Sequence, residues 1–233
     1  SKITCFSSLV FTTMVMAQVT TIPSIIQKGY TGEVTIIFNP NEGNKGMVDA
    51  EQCFAHTGVT YHGTDWQNAS TWRGGEDKYK MTKNADGNWE LKISPSIHEY
   101  YGVDPSFEIT QLCFVFNDGP SGNMEGKAEG NADIFVRLAE PGLAVAITST
   151  IPELSKKNDT ISLQCIATET ANLSLSVNGI EITTANGTEL EYEYVLTDTG
   201  AFEFSFSAQK GDEVKSVSTQ TYVVSAPNQA PRP

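Results

Sequence analysis

Short alternations of apolar and polar residues run along most of the chain. In the clearest of them, Trp89, Leu91 and Ile93 occupy every second position and Glu90 and Lys92 lie between them. A period of two predicts a strand with one buried face. Clusters of Gly, Asn, Asp and Pro separate these runs and predict turns. The other predicted elements of this half are strands at 33–38, 52–59, 108–117 and 132–138 and a short helix or turn at 95–102.

The strands become shorter and more regular beyond residue 139. Asn178-Gly179 and Asn186-Gly187 are two-residue hairpin signals, because both residues of each pair tolerate the positive φ of a tight turn. Seven short strands between residues 142 and 225 are typical of an immunoglobulin-like sandwich. The predicted fold class is therefore all-β, with two consecutive β-sandwich domains over 22–138 and 139–226, the second of them immunoglobulin-like.

The two ends of the chain do not follow this pattern. Residues 1–17 hold one lysine and then an apolar stretch that ends with Val15 and Ala17 at the −3 and −1 positions of a cleavage site. This predicts a signal peptide and a secreted, periplasmic or cell-surface protein; a buried strand or helix is the alternative. Residues 227–233 are a proline-rich linker, which suggests that more protein follows.

The net charge of the chain limits the kinds of partner that it can bind. The 28 acidic residues outnumber the 15 basic ones, for a net charge of −13. A nucleic-acid-binding protein needs a basic surface, so no nucleic-acid partner is predicted. Anionic membranes are disfavoured for the same reason. After residue 17 no apolar stretch approaches the length of a membrane span, so no membrane insertion is predicted.

Catalytic and metal chemistry have little support in the sequence. The three histidines stand in no recognisable triad, and neither a nucleophile elbow nor a phosphate-binding loop occurs. We predict no catalytic residue, no metal site and no cofactor. Without the signal peptide, the cysteines are Cys53, Cys113 and Cys165. Cys53 and Cys113 could form a disulfide, or all three could be buried free thiols.

Trp66 and Trp72 are the most informative residues. They lie in a polar segment rich in Gly, Asn, Ser and Thr that has neither a strand nor a helix period. Such indoles either cap the end of a sandwich or are exposed to a ligand. Exposed flat rings suit sugars, whose C–H faces cover an aromatic ring while nearby polar groups bind the hydroxyls. Asp65, Gln67 and Asn68 would be those polar neighbours.

Several motifs of the first half occur together in one known group of proteins. They are Phe54-Ala55-His56-Thr57-Gly58, Trp66, Trp72, Met81-Thr82-Lys83, Asp86-Gly87-Asn88-Trp89-Glu90-Leu91 and Phe114-Val115-Phe116-Asn117-Asp118-Gly119. This succession, over roughly residues 24–138, resembles the N-terminal β-sandwich of secreted bacterial α-amylase-family glycoside hydrolases. It is more loosely similar to starch-binding modules of carbohydrate-binding families 25 and 26.

The resemblance implies a function and a set of binding residues. It implies a carbohydrate-binding-module-like first domain that binds an α-glucan polysaccharide or oligosaccharide through Tyr61, Trp66 and Trp72. Gln67, one of the polar neighbours named above, completes the predicted binding residues. It further implies a chain that is not itself an enzyme but is covalently linked to a catalytic domain downstream. The rival hypothesis is a structural or adhesive immunoglobulin-like surface protein without a sugar site.

Overall fold

The computed structural model describes residues 11–12, by their backbone, and residues 18–225. The described residues fall into two compact units, a first unit over 18–141 and a second over 142–225, and the short strand β1 (Phe11–Thr12) is grouped with the second. The predicted linker over 227–233 lies outside the described residues, as does the predicted signal peptide apart from residues 11–12. Both stay predictions.

Two sheets make up the first unit. One has the strand order β10-β8-β4-β5 with β9 beside β8, and the other has the order β2-β3-β7-β6. The strands are β2 (Val19–Ile22), β3 (Val34–Phe38), β4 (Phe54–Tyr61), β5 (Thr64–Gln67), β6 (Thr82–Lys83), β7 (Trp89–Ile93), β8 (Ile109–Asn117), β9 (Glu125–Gly126) and β10 (Ile134–Arg137).

The core of the first unit lies between these sheets. On β7 the predicted alternation is confirmed, because Trp89, Leu91 and Ile93 are buried while the residues between them are more exposed. Phe38 of β3 stacks on Phe116 of β8, with ring centroids 4.0 Å apart and planes inclined by 13°. Because the two strands belong to different sheets, this stack joins the layers of a sandwich.

The helices of the first unit are short. Helix α1 (Ile97–Tyr101) begins after Ser96, whose hydroxyl accepts a hydrogen bond from the Glu99 N–H, and ends at Gly102 in the left-handed conformation. Two 3-10 turns span Asp77–Tyr79 and Glu129–Asn131. No helix in the described part of the chain has the length and apolar composition to cross a membrane.

The second unit is an immunoglobulin-like sandwich, built largely from long strands that take part in two layers. Its strands besides β1 are β11 (Val145–Ile147), β12 (Leu154–Lys156), β13 (Thr160–Val177), β14 (Ile180–Val195), β15 (Gly200–Lys210) and β16 (Glu213–Val224). The first half of β13 pairs with β11 and with the second half of β14. After a register shift between Ile166 and Ala171, its second half pairs with β15 and with the first half of β14.

One hydrophobic cluster fills the space between those layers. Leu163 and Cys165 contribute from the first half of β13, and Phe204 and Phe206 contribute from β15; all four side chains are fully buried. The predicted fold class, all-β with two consecutive sandwiches and an immunoglobulin-like second one, is confirmed.

Candidate functional site

The candidate site lies on the face of the β4–β8 sheet that points away from the core, here called the outer face. Ala55 and Val59 of β4 belong to the core, so His56 and Gly58 point outward. Their partners on β8 are Val115 and Cys113, which are buried although they lie outside the inter-sheet core. Another part of the chain must therefore cover the outer face.

The covering element is the segment of residues 64–73, here called the tryptophan segment. The backbone N–H of Ser70 donates a hydrogen bond to the Thr57 carbonyl at 2.9 Å, which holds the segment against β4. Gly58 permits this approach, because a Cβ at that position would stand 3.0 Å from the carbonyl oxygen of Gln67 and 3.1 Å from Cβ of Ala69. The absence of a side chain at Gly58 thus lets a second layer of backbone lie against the strand.

Trp66 is held in one orientation from two sides. Its ring stacks on the imidazole of His56 with centroids 4.9 Å apart and planes inclined by 17°. Its indole N–H donates a hydrogen bond to Asp133 Oδ2 at 3.0 Å. The backbone at Trp66 has a φ of 60°, a conformation that a bulky residue adopts only when its surroundings compensate for the strain. The ring is half-buried and its polar edge is satisfied.

Trp72 also contacts His56 and is more exposed than Trp66. Its side chain is 44% exposed, and its ring meets His56 edge-on, with centroids 5.0 Å apart and planes inclined by 85°. Because His56 is nearly parallel to Trp66 and nearly perpendicular to Trp72, the two indole planes are steeply inclined to each other. The guanidinium carbon of Arg73 lies 5.3 Å from the Trp72 ring centroid, within the range of a cation–π contact.

Both indoles contact the imidazole ring of His56. Its Nδ1 lies 3.2 Å from the hydroxyl oxygen of Ser70, which also accepts a hydrogen bond from the backbone N–H of Thr57. Partial burial lowers the pKa of His56 below its ordinary value, and the Asp133 carboxylate opposes this shift. A neutral imidazole therefore supports both tryptophan rings near neutral pH.

Arg73 anchors the end of the tryptophan segment. Its guanidinium donates hydrogen bonds to Asp118 Oδ1 at 2.8 Å, to the Gly119 carbonyl at 3.2 Å and to the Met124 carbonyl at 3.0 Å. Burial would raise the pKa of Asp118, but hydrogen bonds from Arg73 and from the Met124 N–H hold it below its ordinary value. The residue beside Trp72 is thus tied to the turn that follows β8.

Tyr61 and Gln67, which were predicted beside the tryptophans, have other surroundings. The Tyr61 ring packs on the core side of β4 and against Phe107, at 5.3 Å between centroids, because residues 56 and 61 differ by an odd number of positions and face opposite sides of the strand. Its hydroxyl donates to Asn68 Oδ1 at 3.0 Å. Gln67 is half-buried, and its amide donates to the Asp65 carbonyl at 3.3 Å.

The polar neighbours expected for a sugar are also largely occupied within the protein. Asp65 Oδ1 accepts hydrogen bonds from Thr60 at 2.7 Å and from Gln111 at 3.0 Å. The amide of Asn68 donates to the Tyr101 and Gly102 carbonyls at the end of α1. Asp65 thus fastens the tryptophan segment to the sheet, and Asn68 fastens it to the end of α1. His56 and Asp133, which orient the indoles, were not selected from the sequence.

The cysteines and acidic residues suggest no further chemistry at this site. Cys53, Cys113 and Cys165 are buried free thiols in the structure, so the Cys53–Cys113 disulfide that the sequence left open is not formed. Burial, the main cause, raises the pKa of all three, that of Cys165 to about 11. Within residues 18–225, no group of His, Cys, Asp or Glu side chains is arranged to hold a metal ion.

Comparisons with known proteins yield fold likenesses only. Neither a family model nor a curated protein matches the chain. A fibronectin(III)-like module of Clostridium thermocellum CbhA is 19% identical and covers 36% of this chain and 99% of its own, with a TM-score of 0.30. The CARDB domain of a Pyrococcus furiosus protein is 13% identical over 35% of this chain and 94% of its own, with a TM-score of 0.30. A polysaccharide lyase is 11% identical over 85% of this chain and 31% of its own, also with a TM-score of 0.30.

Proposed function

We propose that the first unit is a non-catalytic module that binds α-glucan chains through Trp66 and Trp72. The observation that carries the proposal is the shared contact with His56, which holds one indole parallel and the other perpendicular to the same imidazole. Trp66 on β5 and Trp72 in the turn after it are thereby held against one strand residue, and Trp72 is open to solvent. A preformed aromatic surface is what a sugar-binding site requires, because ordering the rings costs nothing at the moment of binding.

The chemistry around the rings favours an uncharged ligand. Arg73 is hydrogen-bonded to Asp118 and to two backbone carbonyls, and its ion pairs with Asp118 and Glu125 balance its charge within the protein. Asp133 accepts the Trp66 N–H and adds negative charge, which disfavours an anionic ligand. Stacking of the apolar face of a sugar on an exposed indole needs no charge at all.

The angle between the rings favours an α-linked chain over a flat one. A flat, extended polysaccharide presents its sugar faces in one plane and would meet aromatic rings that lie in one plane. An α-1,4-linked glucan curves, so its successive units turn relative to one another. Two steeply inclined indoles, Trp66 and Trp72, match such a chain, in agreement with the family resemblance.

The remainder of the chain fits an accessory role within a longer secreted protein. In this proposal the immunoglobulin-like second unit is a spacer, and a catalytic domain of the α-amylase family is covalently linked downstream. Binding by one small aromatic surface is weak, and tethering makes weak binding useful because it raises the effective concentration of the enzyme at the polymer.

The rival hypothesis, a structural or adhesive protein without a sugar site, predicts a different solvent exposure for the indoles. If Trp66 and Trp72 only capped the core, both would be sealed from water. The 44% exposure of Trp72 supports the binding hypothesis instead, because an exposed indole adds little to core stability.

Affinity electrophoresis of the whole chain tests the proposal. Amylopectin in the gel should retard the protein, and Trp66→Ala with Trp72→Ala should abolish the retardation. Tyr222→Ala is the control, because Tyr222 is a 57% exposed aromatic residue of the second unit. Hydroxyethyl cellulose in place of amylopectin should give no retardation. A wild-type chain that migrates alike with and without amylopectin would refute α-glucan binding.

A further inference from the structure

A small polar cleft opens beside Trp72, at the start of β4 and the end of β8. Its empty space is about 200 Å³, part of which is open solvent. Its lining comes from Thr71 and residues 73–76, from Tyr79, from the start of β4 at Phe54, and from Asn117 at the end of β8. Arg73 belongs both to this cleft and to the cation–π contact with Trp72, so the cleft adjoins the exposed indole.

The cleft contains polar groups that the protein itself leaves unused. Asn117 is 1% exposed, and its Oδ1 accepts a hydrogen bond from the Gly119 N–H at 3.0 Å. Within residues 18–225 its side-chain NH₂ has no hydrogen-bond partner, and neither has the hydroxyl of Tyr79 or the carboxylate of Glu76. An amide that lines a cleft and has no partner within the described residues is free to donate, so a ligand or water that pairs with it there gains free energy.

The charges of the cleft indicate what kind of group would enter. The Arg73 guanidinium is hydrogen-bonded to Asp118 and to the carbonyls of Gly119 and Met124, and the carboxylates of Asp118 and Glu125 balance its charge. Glu76 is exposed and repels anions. An uncharged group that both donates and accepts hydrogen bonds suits this set, because Asn117 offers donors and Glu76 offers acceptors. A hydroxyl or hydroxymethyl group has these properties.

We propose that this cleft is the subsite that receives a hydroxyl or hydroxymethyl group of the glucan unit stacked on Trp72. The side-chain NH₂ of Asn117 donates to the sugar oxygen, Glu76 accepts from the sugar hydroxyl, and the Tyr79 hydroxyl completes the set. Stacking supplies affinity and the cleft supplies orientation and specificity. The inference rests on the proposed function, since it takes the sugar on Trp72 as given.

Calorimetric titration of the whole chain with maltoheptaose tests the subsite. Tyr79→Phe and Glu76→Ala should each raise Kd by about 2- to 10-fold, the usual effect of one lost hydrogen bond. Neither variant should lower the thermal unfolding midpoint, because neither group has a hydrogen-bond partner in the described chain. Tyr192→Phe and Glu129→Ala, at exposed positions that do not line the cleft, are the matched controls and should leave Kd unchanged.

The outcomes separate this inference from the function on which it rests. If Trp72→Ala abolishes binding while Tyr79→Phe and Glu76→Ala bind like the wild type, the subsite is refuted and the aromatic surface stands. If the wild type fails to bind maltoheptaose, both proposals fall. If both cleft variants weaken binding and the two controls do not, the subsite is supported.

Discussion

The indole N–H of Trp66 donates a hydrogen bond to a carboxylate oxygen of Asp133 at 3.0 Å, although 67 residues separate them in sequence. Asp133 immediately precedes β10, and β10 pairs with β8 so that Ile134 lies opposite Phe114. This register brings Asp133 beside Val115, whose partner on β4 is His56. The strand order of the sheet therefore fixes the ring that we propose as half of the sugar surface.

Removal of this acceptor should loosen Trp66. We expect Asp133→Ala to lower the free energy of unfolding by about 1 kcal/mol, because the half-buried indole N–H loses its hydrogen bond. The variant should also weaken maltoheptaose binding, since the Trp66 ring is no longer held in position. Urea unfolding and calorimetric titration measure the two effects.

The matched control is Asp133→Asn, which keeps an oxygen at the same place. It should stay close to the wild type in both assays, because a side-chain amide can still accept from the indole. Equal behaviour of the alanine and asparagine variants would contradict an orienting role for Asp133.

Gly58 offers a test of how the tryptophan segment lies on the sheet. A Cβ there would stand 3.0 Å from the Gln67 carbonyl oxygen, tighter than ordinary contact. We expect Gly58→Ala to be mildly destabilising and Gly58→Val to cost about 1–3 kcal/mol by overpacking. Maltoheptaose affinity should fall in the same order, because the segment is pushed off the outer face. Valine and alanine variants that both match the wild type would show that the segment lies elsewhere.

Much of the scaffold follows from local signals. Trp89, Leu91 and Ile93 show a period of two because one face of β7 lies in the core. The helix within 95–102 begins at a serine cap and ends at a glycine, both of which are visible in the sequence. These features depend only on residues that are close together in the sequence, so they can be predicted from the sequence itself.

The candidate site is less predictable, because it depends on pairing between distant strands. Trp66 and Trp72 stand out in a polar segment, but nothing near them in sequence points to Asp133. His56 and Tyr61 look alike as aromatic residues of one strand, yet the parity of their positions turns them to opposite faces. Only the register of β4 with β8 and β10 shows which of them supports the indoles.

The thiols give a prediction that does not depend on any ligand. Cys53 and Cys165 are fully buried, and burial raises the pKa of each well above its ordinary value. We expect iodoacetamide to leave both unmodified in the native protein and to alkylate both, without a reductant, once the protein is unfolded. Peptide mass spectrometry identifies each site.

The same experiment bears on Cys113, which the sequence alone could pair with Cys53. As a free buried thiol it should be alkylated in denaturant without a reductant. If Cys53 and Cys113 react in denaturant only after a reductant is added, they form a disulfide in the isolated protein and the structure is wrong on this point.

The imidazole between the two indoles should make stability depend on pH in a defined direction. Partial burial lowers the pKa of His56 from 6.5 in the folded protein, so the unfolded chain takes up this proton first as the pH falls. The contribution of the neutral His56 ring to the free energy of unfolding is complete above pH 6.5. It is lost as the pH falls through the pKa that His56 has in the folded protein. We therefore expect the stability gap between the wild type and His56→Gln to narrow from pH 7.5 to pH 5.

Urea unfolding at several pH values measures that gap, in which groups common to both proteins cancel. A gap that widens at low pH would mean that Asp133 outweighs burial and stabilises the protonated ring, and a constant gap would mean that the two effects cancel.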